Sequence, residues 1–237
     1  MVNLKKKVII FIVEGPSDKA ALGTIFQNYF STDEVRFLVI HGDITTEPHV
    51  SRDNIISRLN DQIKRTMDRY GYESEDVQEV IHLVDTDGAF VKTDIVVQND
   101  SAEKPFYYED RIETNNRDGI ISRNECKKGI LTKLYLTGKV CESLCEGGIK
   151  YRVYYNSCNL EHVLYGELKA FTDREKEELA DDFAEKYEDE VEAFVAFITN
   201  PEFAVIDSYK KTWAFIEKDS NSLKRYSNLG LVFGKID

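Results

Sequence analysis

Positive charge is what this chain has too little of: 31 Lys and Arg face 43 Asp and Glu, leaving a formal net charge of −12 and a pI of about 4.9. That sign excludes a protein that grips nucleic acid through bulk electrostatics, so any polynucleotide contact has to be local, metal-assisted or helped by a partner. Cysteine is sparse as well. Cys126, Cys141, Cys145 and Cys158 show no C-x-x-C spacing, which argues against zinc, and Cys141 and Cys145, one helical turn apart, read as buried thiols. The histidines number four and are scattered, so they form no ligand set. Long apolar runs are missing too. Nothing is long enough to span a membrane, and the basic Lys5-Lys6-Lys7 leads into an apolar run that stops at Glu14, too short for a signal peptide. The expected setting is a reducing cytoplasm, with no membrane contact.

What is present is enough apolar material for a sizeable core, 42% of 237 residues. The most informative stretch is Val8-Ile9-Ile10-Phe11-Ile12-Val13 followed by Glu14-Gly15-Pro16-Ser17-Asp18. Six apolar residues without alternation predict a strand buried on both faces of a parallel sheet, with Glu14 at its C-terminal edge. Gly15 and Pro16 turn the chain, Ser17 is placed to cap a helix, and Asp18 falls in that helix's first turn, where its charge suits the macrodipole. The pattern recurs at Val80-Ile81-His82-Leu83-Val84, which ends in Asp85-Thr86-Asp87-Gly88. Alternation along an extended chain puts Asp85 and Asp87 on one side, and Gly88 permits a sharp turn. If the two strands are neighbours, Glu14, Asp85 and Asp87 converge where open α/β sheets bind ligands. Three such carboxylates repel one another unless a cation joins them, and hard oxygen donors favour Mg²⁺ or Mn²⁺.

Helical periodicity is expected over Ser17–Tyr29 and Ser51–Tyr70, and a further apolar strand over Val35–Ile40 is closed by His41-Gly42-Asp43, with Asp43 read as a turn residue. Strand, helix, strand, helix, strand builds parallel βαβ units. From about 90 to 123 the periodicity fails, which predicts an irregular insertion. Phe106, Tyr107 and Tyr108 lie there with Lys92, Lys104, Arg111 and Arg117, either to meet a substrate or to pack the loop down. A lysine-bearing helix over Asn124–Cys145 and a strand over Tyr151–Tyr155 follow, and then a polar turn through Asn156 and Asn159 into a new helix. His162 in that turn is a structural histidine or an acid–base group. A long acidic helix over Asp173–Ile198 accounts for much of the negative charge. The remaining stretch returns cations close to aromatics, and Lys210, Lys211, Lys224 and Arg225 are candidates to steady a phosphate.

The pairing of a strand ending in Glu-Gly-x-x-Asp-x-x-x-Leu (Glu14, Gly15, Asp18, Leu22) with a strand ending in Asp-x-Asp-Gly (Asp85, Asp87, Gly88) resembles the Toprim domain. The resemblance covers about the first ninety residues. The turn through Asn156, Asn159 and Glu161 resembles the OLD-like and RloB-like Toprim nucleases of bacterial phage defence, although the proline common in related chains is missing. The resemblance implies an α/β fold in which a Toprim (Rossmann-like) parallel sheet is flanked by helices. A Toprim-like domain over 1–165, with its insertion at about 90–123, would carry a helical extension over 166–237. It implies Mg²⁺ or Mn²⁺ held by Glu14, Asp18, Asp85 and Asp87, with Glu161 as a further ligand, and Glu14 alternatively as general base. The implied activity is hydrolysis of phosphodiester bonds in DNA, RNA or transfer RNA, as an effector of antiphage defence under an ATPase or sensor partner. A homo-oligomer stays open. The alternative is a Toprim module that binds metal, nucleotide or a partner without cutting.

Overall fold

The structure, a computed structural model, describes residues 7–32, 35–42 and 44–234. Asp43 lies outside them. The elements in chain order are β1 (Lys7–Val13), α1 (Pro16–Phe30), β2 (Val35–His41), α2 (Ile55–Tyr70), β3 (Val77–Asp85), β4 (Val96–Gln98), β5 (Phe106–Tyr107) and β6 (Ile112–Thr114). After these come α3 (Arg117–Tyr135), β7 (Lys139–Val140), β8 (Ile149–Asn156), α4 (Leu160–Tyr165), α5 (Asp173–Tyr187), α6 (Val191–Ile198) and α7 (Tyr209–Ile216). The principal sheet has five strands in the order β2-β1-β3-β8-β7. β1 is parallel to both neighbours, with Ile12 opposite Ile40 and His82, and the short β7 is antiparallel to its neighbour β8. The fold is therefore α/β with a mostly parallel sheet, compatible with a Rossmann-like arrangement.

The chain divides into two compact units, each assembled from three stretches. The first comprises Met1–Leu83, Ile130–Val153 and Glu177–Val191. Its core follows from the unbroken apolar run: Val8 to Val13 are all buried, as a strand covered on both faces requires. Phe11 stacks on Phe26 of α1 with ring centres 4.3 Å apart, and Phe37 of β2 sits 5.6 Å from Phe11, so one aromatic cluster ties strand, helix and strand together. The cap of α1 is Gly15 rather than Ser17, because Pro16 already occupies the first turn and the Asp18 carboxylate accepts from the Gly15 N–H at 3.0 Å. In α2 the residues Ile55, Leu59, Ile63 and Met67 recur every fourth position and are buried, and Gly71, at φ +70°, ends the helix. It starts at Ile55, not Ser51, since the Asn54 side chain takes the Ser51 N–H at 2.8 Å and donates to the His49 carbonyl, forming a turn.

The second unit comprises Val84–Gly129, Tyr154–Lys176 and Glu192–Asp237. Its first stretch is ordered where irregularity was expected: β4, β6 and β5 form a three-stranded sheet, with β4 parallel and β5 antiparallel to β6. Val91, Val96, Ile112, Ile120 and Leu223 are its core. Arg117 opens α3 seven residues earlier than periodicity suggested and is spent on structure, donating to the carbonyls of Val96 at 2.7 Å and Thr93 at 2.8 Å. The last part of the unit is pinned by buried polar groups. Asn228 accepts from the Tyr155 N–H at 2.7 Å and donates to Thr212 Oγ1 at 3.0 Å, while the Tyr155 hydroxyl donates to the Thr212 carbonyl beside Trp213.

Two expected helices are shorter than their sequence patterns. The helix expected to run to Cys145 ends at Tyr135, ahead of Gly138, and the Cys141–Cys145 stretch is a turn with Cys141 at φ +55°. The acidic helix is two helices, broken at Glu188-Asp189-Glu190: three carboxylates at a helix C-terminus oppose its dipole, whereas Glu192 suits the first turn of the next. Among the described residues no helix is long and apolar enough to cross a membrane.

Candidate active site

In the first unit, the two carboxylates that follow β1 have different surroundings. Glu14 is half-buried and its Oε1 accepts from the hydroxyl of Thr45 at 3.1 Å. Asp18 is buried and serves the helix cap described above. A cap uses one carboxylate oxygen, so Asp18 has an evident structural role that the motif did not require.

The second unit carries the other three acids. Asp85 is the last residue of β3, half-buried, and its Oδ1 accepts from Asn156 Nδ2 at 3.3 Å at the end of β8. Asn156 is itself fixed, since its Oδ1 accepts from Ser227 Oγ at 3.1 Å and its carbonyl accepts from the Thr86 N–H at 2.9 Å. Thr86 is fully buried: it donates to the Ser222 carbonyl and accepts from the Cys158 N–H. Asp87 follows in the left-handed region at φ +46°, donating its N–H to the carbonyl of Cys158, which is also left-handed at φ +59°. Two non-glycine residues in this region, hydrogen-bonded to each other, are a local cost of the kind held in place at functional sites. Gly88, at φ +73°, completes the turn, and a Cβ there would lie 2.8 Å from Ile112 Cδ1.

Side chains of α3 meet this turn. The Lys127 ammonium forms an ion pair with the Asp87 carboxylate, and Lys127 is only 2% exposed. Arg123, one helical turn earlier, donates to the Asp87 carbonyl at 3.2 Å and to the Tyr107 hydroxyl at 2.6 Å. Arg123 also donates to Asn124 Oδ1 at 2.9 Å, and the buried Asn124 Nδ2 has no acceptor among the described residues. The Cys158 thiol reports the whole group: burial first, then the charges of Asp87 and Asp85, push its pKa well up, with Arg123 and Lys127 pulling against them. Burial likewise raises the Tyr107 phenol against the pull of Arg123.

The remaining candidates stand apart from this turn in their roles. Glu161 is buried on α4 and takes Lys176 Nζ at 2.8 Å, so its charge is met by a lysine. His162 is 2% exposed, and desolvation, with the Arg225 charge second, lowers its pKa to about 4, which keeps it neutral near pH 7. Arg225 closes the end of α4, donating to the carbonyls of Val163 at 2.9 Å and Leu164 at 3.4 Å, with its guanidinium 4.5 Å over the Phe203 ring. Lys210 and Lys211 are exposed on α7, and Lys211 pairs with Asp207 at 3.2 Å, while Lys224 is half-buried with its carbonyl held by the Ser157 hydroxyl. Among the described residues, no group of three or more His, Cys, Asp or Glu could hold a metal ion.

Sequence reasoning placed Lys127 on the lysine-bearing helix without pairing it with Asp87, and passed over Arg123. Arg123 and Lys127 carry a signal, the i, i+4 spacing of two bases on one helix face, but the helix was expected to begin only at Asn124. Compared with family models, with curated proteins and with solved structures, the chain matches none.

Proposed function

We propose that this protein is a Toprim-like, divalent-metal-dependent nuclease that hydrolyses phosphodiester bonds in DNA or RNA, acting through Glu14, Asp85 and Asp87 with Mg²⁺ or Mn²⁺. The observation that carries the reading is the convergence of both charge signs on one turn: Asp85 and Asp87 at the end of β3, with Lys127 and Arg123 arriving from α3. Phosphodiester hydrolysis asks for carboxylates to hold a metal and for cationic donors to meet the charge that grows on the phosphate. Asp87 already accepts a cation, and hard oxygens suit the metal. Mg²⁺ is commonly held by one or two carboxylates completed by water and substrate phosphates, so a preformed cage of three acids is not a requirement. Further support comes from the matching ends of two apolar strands, β1 being followed by Glu14 and β3 ending in Asp85.

In this reading Asp85 and Asp87 would hold the metal, which when bound would supply an activated water and neutralise phosphate charge. Asn156 keeps the Asp85 carboxylate oriented. Lys127 would turn from Asp87 to the phosphate, Arg123 steadies the backbone of the turn, and Glu14 would be the further ligand or the base that the resemblance implies. One observation favours the non-catalytic alternative, a binding module: Lys127 neutralises Asp87 from within the fold. The test is incubation of the protein with DNA and RNA, single- and double-stranded, with Mg²⁺ or Mn²⁺. Cutting that Asp85→Asn abolishes, in a protein whose circular dichroism is unchanged, upholds the nuclease; metal-stimulated binding without cutting would replace it with the module.

A further inference from the structure

We propose that the cleft beside the Asp87 turn holds one unpaired nucleobase, so that the substrate is single-stranded at the site of attack; this rests on the nuclease reading and narrows its substrate class. The cleft lies within the second unit and has a volume of about 230 Å³. That is below the ~300 Å³ at which pockets for drug-sized ligands begin, so it suits a single ring system. Its lining includes three aromatic rings, Phe106, Tyr107 and Phe171, together with Cys158, Lys169 and Lys176. Phe106 is 41% exposed on β5. Isolated exposed rings are ordinary, but Phe106 shares one concavity with Tyr107, which packs on the core of the small sheet, and with Phe171, whose ring carries the Lys169 ammonium, so Phe106 is the platform on which a base can stack. A paired base already has both faces covered by its neighbours in the duplex and cannot use that surface.

Position ties the cleft to the carboxylates. Arg123 Nη2, which donates to the Tyr107 hydroxyl, also donates to the Asp87 carbonyl, and the Cys158 carbonyl accepts from the Asp87 N–H at 2.9 Å. Two lining residues are therefore joined by hydrogen bonds to the turn that carries the acid.

Charge decides which lysine meets phosphate. Lys176 is committed to Glu161, a side chain 7% exposed, and stays there. Lys169 is 53% exposed, shared between Glu167 at 3.4 Å and Glu175 at 3.6 Å, with its ammonium 4.7 Å from the centre of the Phe171 ring; such solvent-exposed contacts are weak, so a phosphate can draw the ammonium away. With acids so close, affinity comes from stacking rather than from the field. One phosphate contact gives a shallow salt slope, about −0.7 for a single strand.

The test uses the full chain in EDTA, where nothing is cut, and fluorescence anisotropy of an end-labelled oligothymidylate, alone and annealed to its complement. The wild type is expected to prefer the single strand. Phe106→Ala should weaken single-strand binding roughly 5- to 150-fold, as loss of one stacking partner predicts, with the melting temperature and circular dichroism of the protein unchanged. Lys169→Gln should flatten the salt slope. Equal binding by Phe106→Ala and wild type, a preference for duplex, or no measurable single-strand binding would overturn the cleft assignment. Because the readout needs neither metal nor cleavage, stacking that persists in a protein unable to cut overturns the nuclease alone, and cutting that ignores Phe106→Ala overturns the cleft alone.

Discussion

Replacing Lys127 by methionine separates the cation's part in the fold from its part at the carboxylates. An ion pair at contact attracts by about 4 kcal/mol at an effective dielectric of 20, and burying an ammonium costs several kcal/mol, so the Lys127–Asp87 pair is worth little on balance. Methionine keeps the length of the stem and removes the buried charge, while Asp87, whose side chain is 32% exposed, is rehydrated. In EDTA the variant should therefore stay within about 1 kcal/mol of the wild type, a shift in melting temperature of no more than ~4 °C for a chain of this size. What changes is the appetite for cations. Asp87 then carries its charge without the ammonium, and Mg²⁺ should stabilise the variant more than the wild type. At free Mg²⁺ a hundredfold above its dissociation constant, the gain is about 2.7 kcal/mol, or roughly 5–11 °C. Thermal unfolding of both proteins in EDTA and across a Mg²⁺ titration reads this directly. A variant whose Mg²⁺ response is no larger than that of the wild type would refute the view that Lys127 stands in for a metal. A loss of more than ~10 °C in EDTA would show instead that the pair is a structural anchor.

Three other substitutions probe the same unit. Asn156→Ala removes the donor to Asp85 and the acceptor of Ser227 in a buried setting, and should cost about 1–3 kcal/mol in urea unfolding. Gly88→Ala puts a Cβ at φ +73° and 2.8 Å from Ile112 Cδ1; a loss of about 1–3 kcal/mol is expected, and a silent substitution would show that the turn relaxes freely. His162 gives a pH dependence. Its folded pKa, near 4, lies below the ordinary 6.5, so the unfolded chain binds the proton more tightly and stability falls as pH drops through that window. Between pH 7 and pH 5 the group should remove about 2 kcal/mol, measured by urea unfolding at both values, and His162→Gln should remove that part of the acid sensitivity.

The strands and helices that position Glu14 and Asp85 were readable because their signals are local. Val8–Val13 is apolar at every position since both faces are covered, and α2 repeats every fourth residue since one face is. Elements of two or three residues, such as β4, β5 and β6, are too short for any period to register, so an ordered small sheet read as an insertion without order. Helix ends were displaced wherever a side chain overrode the pattern, as Asn54 does before α2 and the Glu188-Asp189-Glu190 run does after α5. Sequence by itself thus determined the alternation of apolar strands with carboxylate-tipped ends and amphipathic helices. Only the tertiary structure decided which charges answer those carboxylates: Lys127 and Asp87 are forty residues apart, Asn156 and Asp85 are seventy-one apart, and nothing in a linear pattern records a partner brought in by folding.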